Sequence, residues 1–204
     1  MAENGRIQRL DEIFGPVAAS TRCAESLRET VEEVVQLAVE IAREGREGRK
    51  IGTLFVVGDV ERVLERSRPL LLDPLYGHPA ELLDVRRPEF RETVKELAQL
   101  DGAFVVDKHG AFVSAARYID VDPGTTLLPG LGTRHAAAAS VTAETRSVAI
   151  VVSQSSIVRV YARGAIRSEI VPELFLLSRA GLFTPGAEIR HVPEAGITVA
   201  VAES

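Results

Sequence analysis

The sequence predicts an α/β protein in which helices flank a central mixed β-sheet. Short apolar runs of strand length alternate with segments of helical periodicity, and two pairs of these runs are joined by short turns as hairpins. The 204 residues are enough for one well-filled core. Such alternation favours a sheet covered by helices. We therefore expect a single domain over residues 21–204, preceded by residues 1–20, whose weak pattern is typical of a disordered terminus.

The N-terminal half begins with an amphipathic helix. Apolar residues from Leu27 to Ala42 recur at helical spacing opposite a face of Glu and Arg, and Gly45 and Gly48 end the helix. This apolar face is expected to pack on the sheet. The next predicted elements are a buried strand at 53–57, a short helix at 60–66, an irregular stretch at 70–88 and a helix at 90–100.

The C-terminal half is predicted to begin with a hairpin. Its strands are 102–106 and 111–119, joined by a turn at 107–110. After a Gly- and Pro-containing loop at 121–130, Thr133 is expected to cap a helix over 134–143. The remaining predicted elements are a strand at 147–153, a hairpin of 157–162 and 165–170, a helix at 172–179 and a strand at 197–201.

Composition excludes several classes of protein. The 46% hydrophobic and 26% charged residues are ordinary globular values, and a net charge of −5 argues against a nucleic-acid-binding module. The single cysteine, Cys23, can form neither an internal disulfide nor a cysteine metal cluster, which suits a reducing cytoplasm. We see no signal peptide and no apolar run of membrane-spanning length.

The first candidate motif is Asp101-Gly102-Ala103, which opens an apolar strand. A carboxylate can hold a divalent metal ion, and a glycine beside it lets a ligand approach the backbone. The alternative is an ordinary turn, because Asp-Gly is among the commonest turn dipeptides. Taken alone, this motif favours the turn.

The second candidate motif is Gly132-Thr133-Arg134-His135, which precedes an alanine-rich helix. The free N–H groups of a helix start attract anions, and Arg134 adds charge-assisted hydrogen bonds to phosphate. His135 could donate to a phosphate oxygen or to a pyrophosphate leaving group. The alternative is a capped helix with two polar residues that face solvent, and the motif alone does not decide between the two.

Two further pairs of residues lie at strand ends. Ser153 and Gln154 could contact a ligand, although such residues are more often ordinary turn residues. Tyr118 and Ile119 could sandwich a purine base, although an apolar pair in a strand is more often core. No P-loop or GxGxxG motif is present.

Together the two motifs resemble those of the diadenylate cyclases, which make cyclic di-AMP from two ATP. That family is marked by a DGA motif and by an RHR motif within GTRHR, which here reads Gly132-Thr133-Arg134-His135-Ala136. The resemblance spans roughly 51–170 and includes the stretches Gly52–Gly58, Ala115–Ile119 and Val151–Gln154. Ala136 stands where the family usually has Arg, and this variant is similar to archaeal-type members.

The resemblance implies the fold of that family and a nucleotidyltransferase reaction. Two ATP bound to facing subunits of a homodimer would react, each 3′-hydroxyl attacking the α-phosphate of the other ATP, with release of two pyrophosphates. Asp101 would hold Mn²⁺ or Mg²⁺, and the catalytic residues would be Asp101, Arg134 and His135. The substrate-binding residues would be Gly102, Ala103, Tyr118, Ile119, Gly132, Thr133, Ser153 and Gln154.

Two other functions are open at this point. The same fold could be a sensor that binds ATP or cyclic di-AMP without turnover, a reading that Ala136 keeps open. The domain could also be structural or partner-binding, with the motifs serving only as a turn and a helix cap. No nucleic-acid or membrane partner is expected.

Overall fold

The computed structural model describes residues 25–124, 130–172, 188–192 and 197–201. The chain divides into two compact units, Met1–Ile170 and Val171–Ser204. The expectation for residues 1–20 lies outside the described residues, and a single domain over 21–204 remains a prediction.

The first unit contains helices on both sides of one sheet. Its helices are α1 (Glu25–Glu44), α2 (Val60–Glu65), α3 (Pro88–Leu97) and α4 (Thr133–Glu144), with a 3₁₀ turn at Ala80–Leu82. Its strands are β1 (Thr53–Val57), β2 (Ser67–Pro69), β3 (Ala103–Val106), β4 (Phe112–Ile119), β5 (Val148–Val152), β6 (Val158–Ala162) and β7 (Ala165–Ile170).

The seven strands form a mixed sheet in the order β2-β4-β3-β1-β5-β6-β7. Strands β1 and β3 are parallel, and the other neighbouring pairs in this sheet are antiparallel. Both predicted hairpins, β3–β4 and β6–β7, are present. The predicted fold class, an α/β protein with a mixed sheet flanked by helices, is therefore confirmed.

Each face of the sheet carries its own apolar layer because successive side chains on a strand point to opposite faces. Helices α1 and α3 cover one face, where Phe55, Phe90, Phe104 and Phe112 pack ring against ring. Helices α2 and α4 cover the other face. The alanines of α4 present little side-chain bulk, so this helix approaches the sheet closely.

An ion cluster joins α1 to α3 at the edge of the first layer. The Lys95 ammonium, whose side chain is almost fully buried, lies 3.0 Å from a Glu40 oxygen, 3.2 Å from Glu44 and 2.8 Å from Glu92. Burial alone would lower the pKa of Lys95, but hydrogen bonds to these carboxylates raise it above its ordinary value. The cluster thus fixes the two helices against each other at polar as well as apolar contacts.

The predicted helices and strands of the first unit are present, with boundaries that differ by at most three residues. Strand β2 was missed, because three residues are too few for an alternating pattern. The predicted cap at Thr133 is wrong: Gly132 precedes the helix with extended backbone, no side chain caps it, and Thr133 is its first residue. The predicted helix at 172–179 lies almost entirely outside the described residues.

In the second unit, β8 (Glu188–Val192) pairs antiparallel with β9 (Ile197–Val201). The sequence predicted β9 and missed β8. Within the described parts of both units, no helix is long and apolar enough to cross a membrane.

Candidate active site

The two sequence motifs meet at one end of the large sheet. Leu54 at the start of β1 pairs with Ala103 at the start of β3, and Thr53 pairs with Val152 at the end of β5. This register brings the residues just before β1 and β3 next to the residues just after β5. Ligands of parallel α/β sheets usually bind at the carboxyl ends of the strands. Here the candidate site lies instead at the amino ends of the parallel pair.

Arg134 and Asp101 link the motifs directly. Nη2 of Arg134 lies 3.6 Å from Oδ1 of Asp101, whose side chain is 78% exposed. The backbone N–H of Gly102 donates to the same Oδ1 at 3.0 Å. Among the described residues, Oδ2 makes no hydrogen bond or ion pair, so this oxygen is available to a ligand.

The start of α4 presents unused donors beside this carboxylate. Among the described residues, the backbone N–H groups of Thr133 and Arg134 donate to no partner, and Gly132 and Thr133 are exposed. The Nε of Arg134 is buried and also has no hydrogen-bond partner within the described part of the chain. Free N–H groups and a guanidinium at a helix start are suited to binding phosphate.

Gly52 gives the guanidinium of Arg134 its place. A Cβ at residue 52 would lie 2.9 Å from Nη1 of Arg134 and 3.3 Å from the carbonyl oxygen of Val152. Only a residue without a side chain leaves this space open. In the sequence, Gly52 begins the family-like stretch Gly52–Gly58 but had no assigned role, because nothing in the sequence places it against α4.

Gly102 lies against the neighbouring strand β4, which requires a glycine at this position. It has φ +101°, and a Cβ here would lie 2.7 Å from the carbonyl carbon of Ala116 and from the nitrogen of Arg117. Ala116 itself adopts φ 51° at an irregularity in the β3–β4 pairing. Its Cα therefore packs against the β4 backbone next to Asp101, while the close approach of a ligand to the Gly102 backbone stays a prediction.

His135 is buried, contrary to the reading in which it faces solvent. Its Nδ1 lies 2.9 Å from the hydroxyl oxygen of Tyr161 on β6. Burial, followed by the charges of Arg159 and Arg134, lowers the pKa of His135 to about 4. The imidazole is therefore neutral at pH 7. Sequence reasoning missed Tyr161, because no local motif connects β6 to the start of α4.

The predicted purine sandwich does not form, because Tyr118 and Ile119 are neighbours on β4 and point to opposite faces. Tyr118 is exposed, and the guanidinium of Arg68 lies 4.5 Å from its ring centroid. Ile119 is buried in the layer under α4, as is Ala103. Of these three, only Tyr118 has an exposed side chain.

Ser153 lies at the same end of the sheet, in the turn between β5 and β6. Its hydroxyl accepts a hydrogen bond from the N–H of Ile157 at 3.2 Å and lies 2.7 Å from the Ser155 hydroxyl. Gln154 is exposed in the same turn. Both residues therefore border the site while also forming the turn, so the two readings from the sequence are compatible.

An ion pair missed from the sequence anchors the segment after β4. Nη2 of Arg66 lies 2.6 Å from Oδ2 of Asp122, and the Ser140 hydroxyl on α4 bonds the same carboxylate at 3.2 Å. The hydrogen bond from Arg66 holds the pKa of Asp122 below its usual value. This contact ties the chain leaving β4 to the helix that carries Arg134.

The carboxylate present at the site is suited to a divalent metal ion that is also bound by a substrate. No group of three or more His, Cys, Asp or Glu capable of holding a metal occurs among the described residues. Mg²⁺, however, is commonly bound through one or two carboxylates together with substrate phosphates. The exposed Asp101 beside a helix start with unused N–H groups suits that arrangement.

A mixed sheet with an exposed carboxylate, an arginine and a free helix start at one end defines a nucleotide- or phosphate-binding α/β domain. Residues 40–166 match the family described as DisA bacterial checkpoint controller nucleotide-binding, the DAC family. That match covers more than half of the chain. The chain belongs to the DAC family.

Two archaeal relatives extend this comparison. The chain is 43% identical over 154 residues to a protein of Methanocaldococcus jannaschii named diadenylate cyclase, covering 75% of this chain and 49% of the relative. It is 37% identical over 147 residues to a diadenylate cyclase of Haloferax volcanii, covering 71% of this chain and 54% of the relative. The chain thus spans about half the length of these relatives.

A solved structure supports the fold alone. The crystal structure of a hypothetical membrane-spanning protein from Bacillus cereus matches with a TM-score of 0.52 at 21% identity. The match covers 68% of this chain and 62% of that one.

Proposed function

We propose that this protein is a diadenylate cyclase, which joins two ATP into cyclic di-AMP and releases two pyrophosphates. The observation that carries the proposal is the pairing of Arg134 with the exposed Asp101 at a helix start with free donors. Membership of the DAC family and two relatives with this name support the same reaction.

Arg134 and the start of α4 bind the triphosphate in this proposal. The guanidinium and the N–H groups of Thr133 and Arg134 donate to phosphate oxygens, and the buried Nε of Arg134 gains the acceptor that it lacks among the described residues. Preorganised donors of this kind stabilise the charge that develops during transfer of a phosphoryl group. They need no reorganisation when the reaction begins.

Asp101 holds Mn²⁺ or Mg²⁺ through its exposed carboxylate. A metal held there with the nucleotide would neutralise phosphate charge and would favour ionisation of the attacking 3′-hydroxyl. The Gly102 N–H and Arg134 orient the carboxylate through Oδ1, which leaves Oδ2 toward solvent. Asp101 is thus already oriented before substrate arrives.

The remaining predicted residues shape the nucleotide pocket. Tyr118 offers an exposed ring for the base, and Ser153 and Gln154 border the site from the β5–β6 turn. Ala103 and Ile119 are buried in the apolar layer under α4, where their packing holds β3 and β4 in place. His135 adds a neutral hydrogen-bonding group next to Arg134.

Catalysis requires two subunits that face each other, because each ATP supplies the hydroxyl that attacks the other. One chain offers one such site, so a monomer is inactive even when it is folded. The use of ATP and the single Cys23 both support a cytoplasmic location, which is part of this proposal.

Incubation of the purified protein with ATP and Mn²⁺ or Mg²⁺, followed by mass spectrometry of the products, tests the proposal. Cyclic di-AMP should form with the parent protein and with Glu61→Gln, which removes an exposed carboxylate on α2. It should not form with Asp101→Asn. The free energy of unfolding of Asp101→Asn should change by less than about 0.5 kcal/mol, since the side chain is exposed.

Other outcomes distinguish the competing functions. ATP binding without product under either metal identifies a sensor. No ATP binding, together with a loss of about 1 kcal/mol in Asp101→Asn, identifies a structural Asp-Gly turn.

A further inference from the structure

Tyr161 and His135 form a buried side-chain pair under the start of α4. The Tyr161 hydroxyl oxygen lies 2.9 Å from Nδ1 of His135, and the ring centroids are 5.9 Å apart. Tyr161 is 2% exposed and His135 is 5% exposed. A hydrogen bond this well shielded from water fixes the orientation of both rings.

The charges around the pair keep the imidazole neutral. Arg134 precedes His135 on α4, and Arg159 lies on β6 two residues before Tyr161, where it pairs with Glu169. Burial and these two cations disfavour a second proton on the ring, which is the origin of the low pKa of His135. A neutral imidazole has one N–H donor and one acceptor, so the position of its single proton decides what the ring can offer a ligand.

The buried Tyr161 hydroxyl needs an acceptor for its proton, and this requirement determines which group donates in the hydrogen bond. Nδ1 is the hydrogen-bond partner that the described residues offer the Tyr161 hydroxyl. If Nδ1 carried the proton and donated it, the Tyr161 O–H would be buried without an acceptor, which is costly. If Tyr161 donates to Nδ1, its proton is satisfied. The imidazole proton then lies on Nε2, the remaining hydrogen-bonding atom of the ring.

We propose that Tyr161 is a positioning residue, which holds His135 in the tautomer protonated at Nε2 so that it donates a hydrogen bond to a substrate phosphate. This role rests on the proposed function, because it assumes that phosphate binds at the start of α4. Tyr161 does not touch substrate. It acts through His135, in the way that a second group commonly fixes the tautomer of a functional histidine.

The tautomer can be measured without turnover. Long-range ¹H–¹⁵N correlation spectra of the ¹⁵N-labelled full-length protein at pH 7 distinguish a protonated from an unprotonated ring nitrogen in each of the four histidines. The His135 signals are assigned by their loss in His135→Gln. We expect a neutral ring with the proton on Nε2 in the parent protein and a mixture of tautomers in Tyr161→Phe. A proton on Nδ1 in the parent protein overturns the proposal, whether or not the protein is a cyclase.

Kinetics test whether the tautomer matters for the reaction. Tyr161→Phe keeps the ring and removes one hydroxyl, so kcat/KM for cyclic di-AMP formation should fall about fivefold to thirtyfold, the equivalent of one buried hydrogen bond. Tyr76→Phe makes the same chemical change at a residue that is 90% exposed and should leave kcat/KM unchanged. Thermal unfolding of each variant checks that the fold is retained.

A double-mutant comparison separates positioning from a general structural effect. If Tyr161 acts through His135, adding Tyr161→Phe to His135→Gln should reduce kcat/KM by less than about twofold. An undiminished loss in the His135→Gln background shows that Tyr161 acts by another route and overturns the proposal. If the His135 tautomer shifts in Tyr161→Phe but kcat/KM is unchanged, the tautomer is not important for the reaction and this part of the proposal is overturned.

Discussion

Replacing Gly52 by alanine should displace Arg134 while leaving the fold intact. The added Cβ would lie 2.9 Å from Nη1 and 3.4 Å from Cζ of Arg134. The backbone of Gly52 is outside the left-handed region, so alanine is not strained there. The clash is therefore with the far end of a long side chain, which relieves it by moving rather than by unfolding the sheet.

The expected fall in kcat/KM follows from how far Arg134 is displaced from its alignment with Asp101. An ordinary contact begins near 3.4 Å, so Nη1 must retreat by at least about 0.5 Å, away from the sheet end and from its alignment with Asp101. Removing one preorganised donor to a transition-state oxyanion costs about 10²–10³ in kcat. A displaced donor costs less, so we expect kcat/KM to fall about tenfold to a hundredfold.

The free energy of unfolding of Gly52→Ala should rise slightly or stay unchanged, although its activity falls. Replacing glycine by alanine at a compatible position stabilises a protein by about 0.4–1 kcal/mol, because the unfolded chain loses freedom. The close approach to the Val152 carbonyl oxygen, at 3.3 Å, offsets part of this gain. The net change in the free energy of unfolding should be within about 1 kcal/mol of zero.

Cyclic di-AMP formation and urea unfolding should be measured on the same preparations of the parent, Gly52→Ala and Gly124→Ala. Gly124 is the matched control, since its Cβ would meet no atom of the described residues within 4 Å and its φ is also outside the left-handed region. Full activity in Gly52→Ala would refute the role of this space in placing Arg134. A loss of several kcal/mol in stability would show instead that Gly52 serves the fold.

Three further predictions concern stability. Gly102→Ala should lower the free energy of unfolding by about 2 kcal/mol or more in urea titrations, because the new Cβ meets the β4 backbone at a left-handed φ; an unchanged midpoint would contradict this packing. The folded-state pKa of His135, about 4, lies below its ordinary value of 6.5, so its contribution is complete above pH 6.5 and is lost as the pH falls towards 4. Up to about 3 kcal/mol is involved, and the difference between the parent and His135→Gln, measured from pH 7 to pH 4, should show it. Lys95→Met should cost about 1–2 kcal/mol, because three partly exposed carboxylates lose their shared cation, and added salt should reduce this loss.

The sequence was sufficient for elements whose apolar pattern is long or bounded by glycine. The helix Glu25–Glu44 and the strand Thr53–Val57 were predicted nearly to the residue, since burial imposes the 3.6- and 2-residue periods directly. Short pieces such as Ser67–Pro69 carry no period, and their pairing with β4 depends on residues about fifty positions away. Such pieces are determined by tertiary contacts that a local pattern does not contain.

The same limit applies to the candidate site. Asp101 and Arg134 were identified from their motifs, and the structure brings them together. Gly52 and Tyr161 were not assigned roles, because each acts through a contact with α4 from a part of the chain distant in sequence. The residues that carry chemistry form recognisable local motifs. The residues that position them are here a single glycine before one strand and a single tyrosine within another, and neither forms a motif.

The burial of His135 gives Arg134 and His135 different tasks, namely attraction of the triphosphate and donation of a directed hydrogen bond. Arg134 lies beside the exposed carboxylate of Asp101, while His135 is held neutral by burial and by the cations of Arg134 and Arg159. Attraction of a triphosphate therefore depends on the guanidinium and the helix start, and His135 can contribute only a directed hydrogen bond. Since its pKa is about 4, titration of His135 should not shape the pH dependence of turnover between pH 6 and pH 9. Any ionisation seen in that range must then belong to another group, such as the attacking hydroxyl of the substrate.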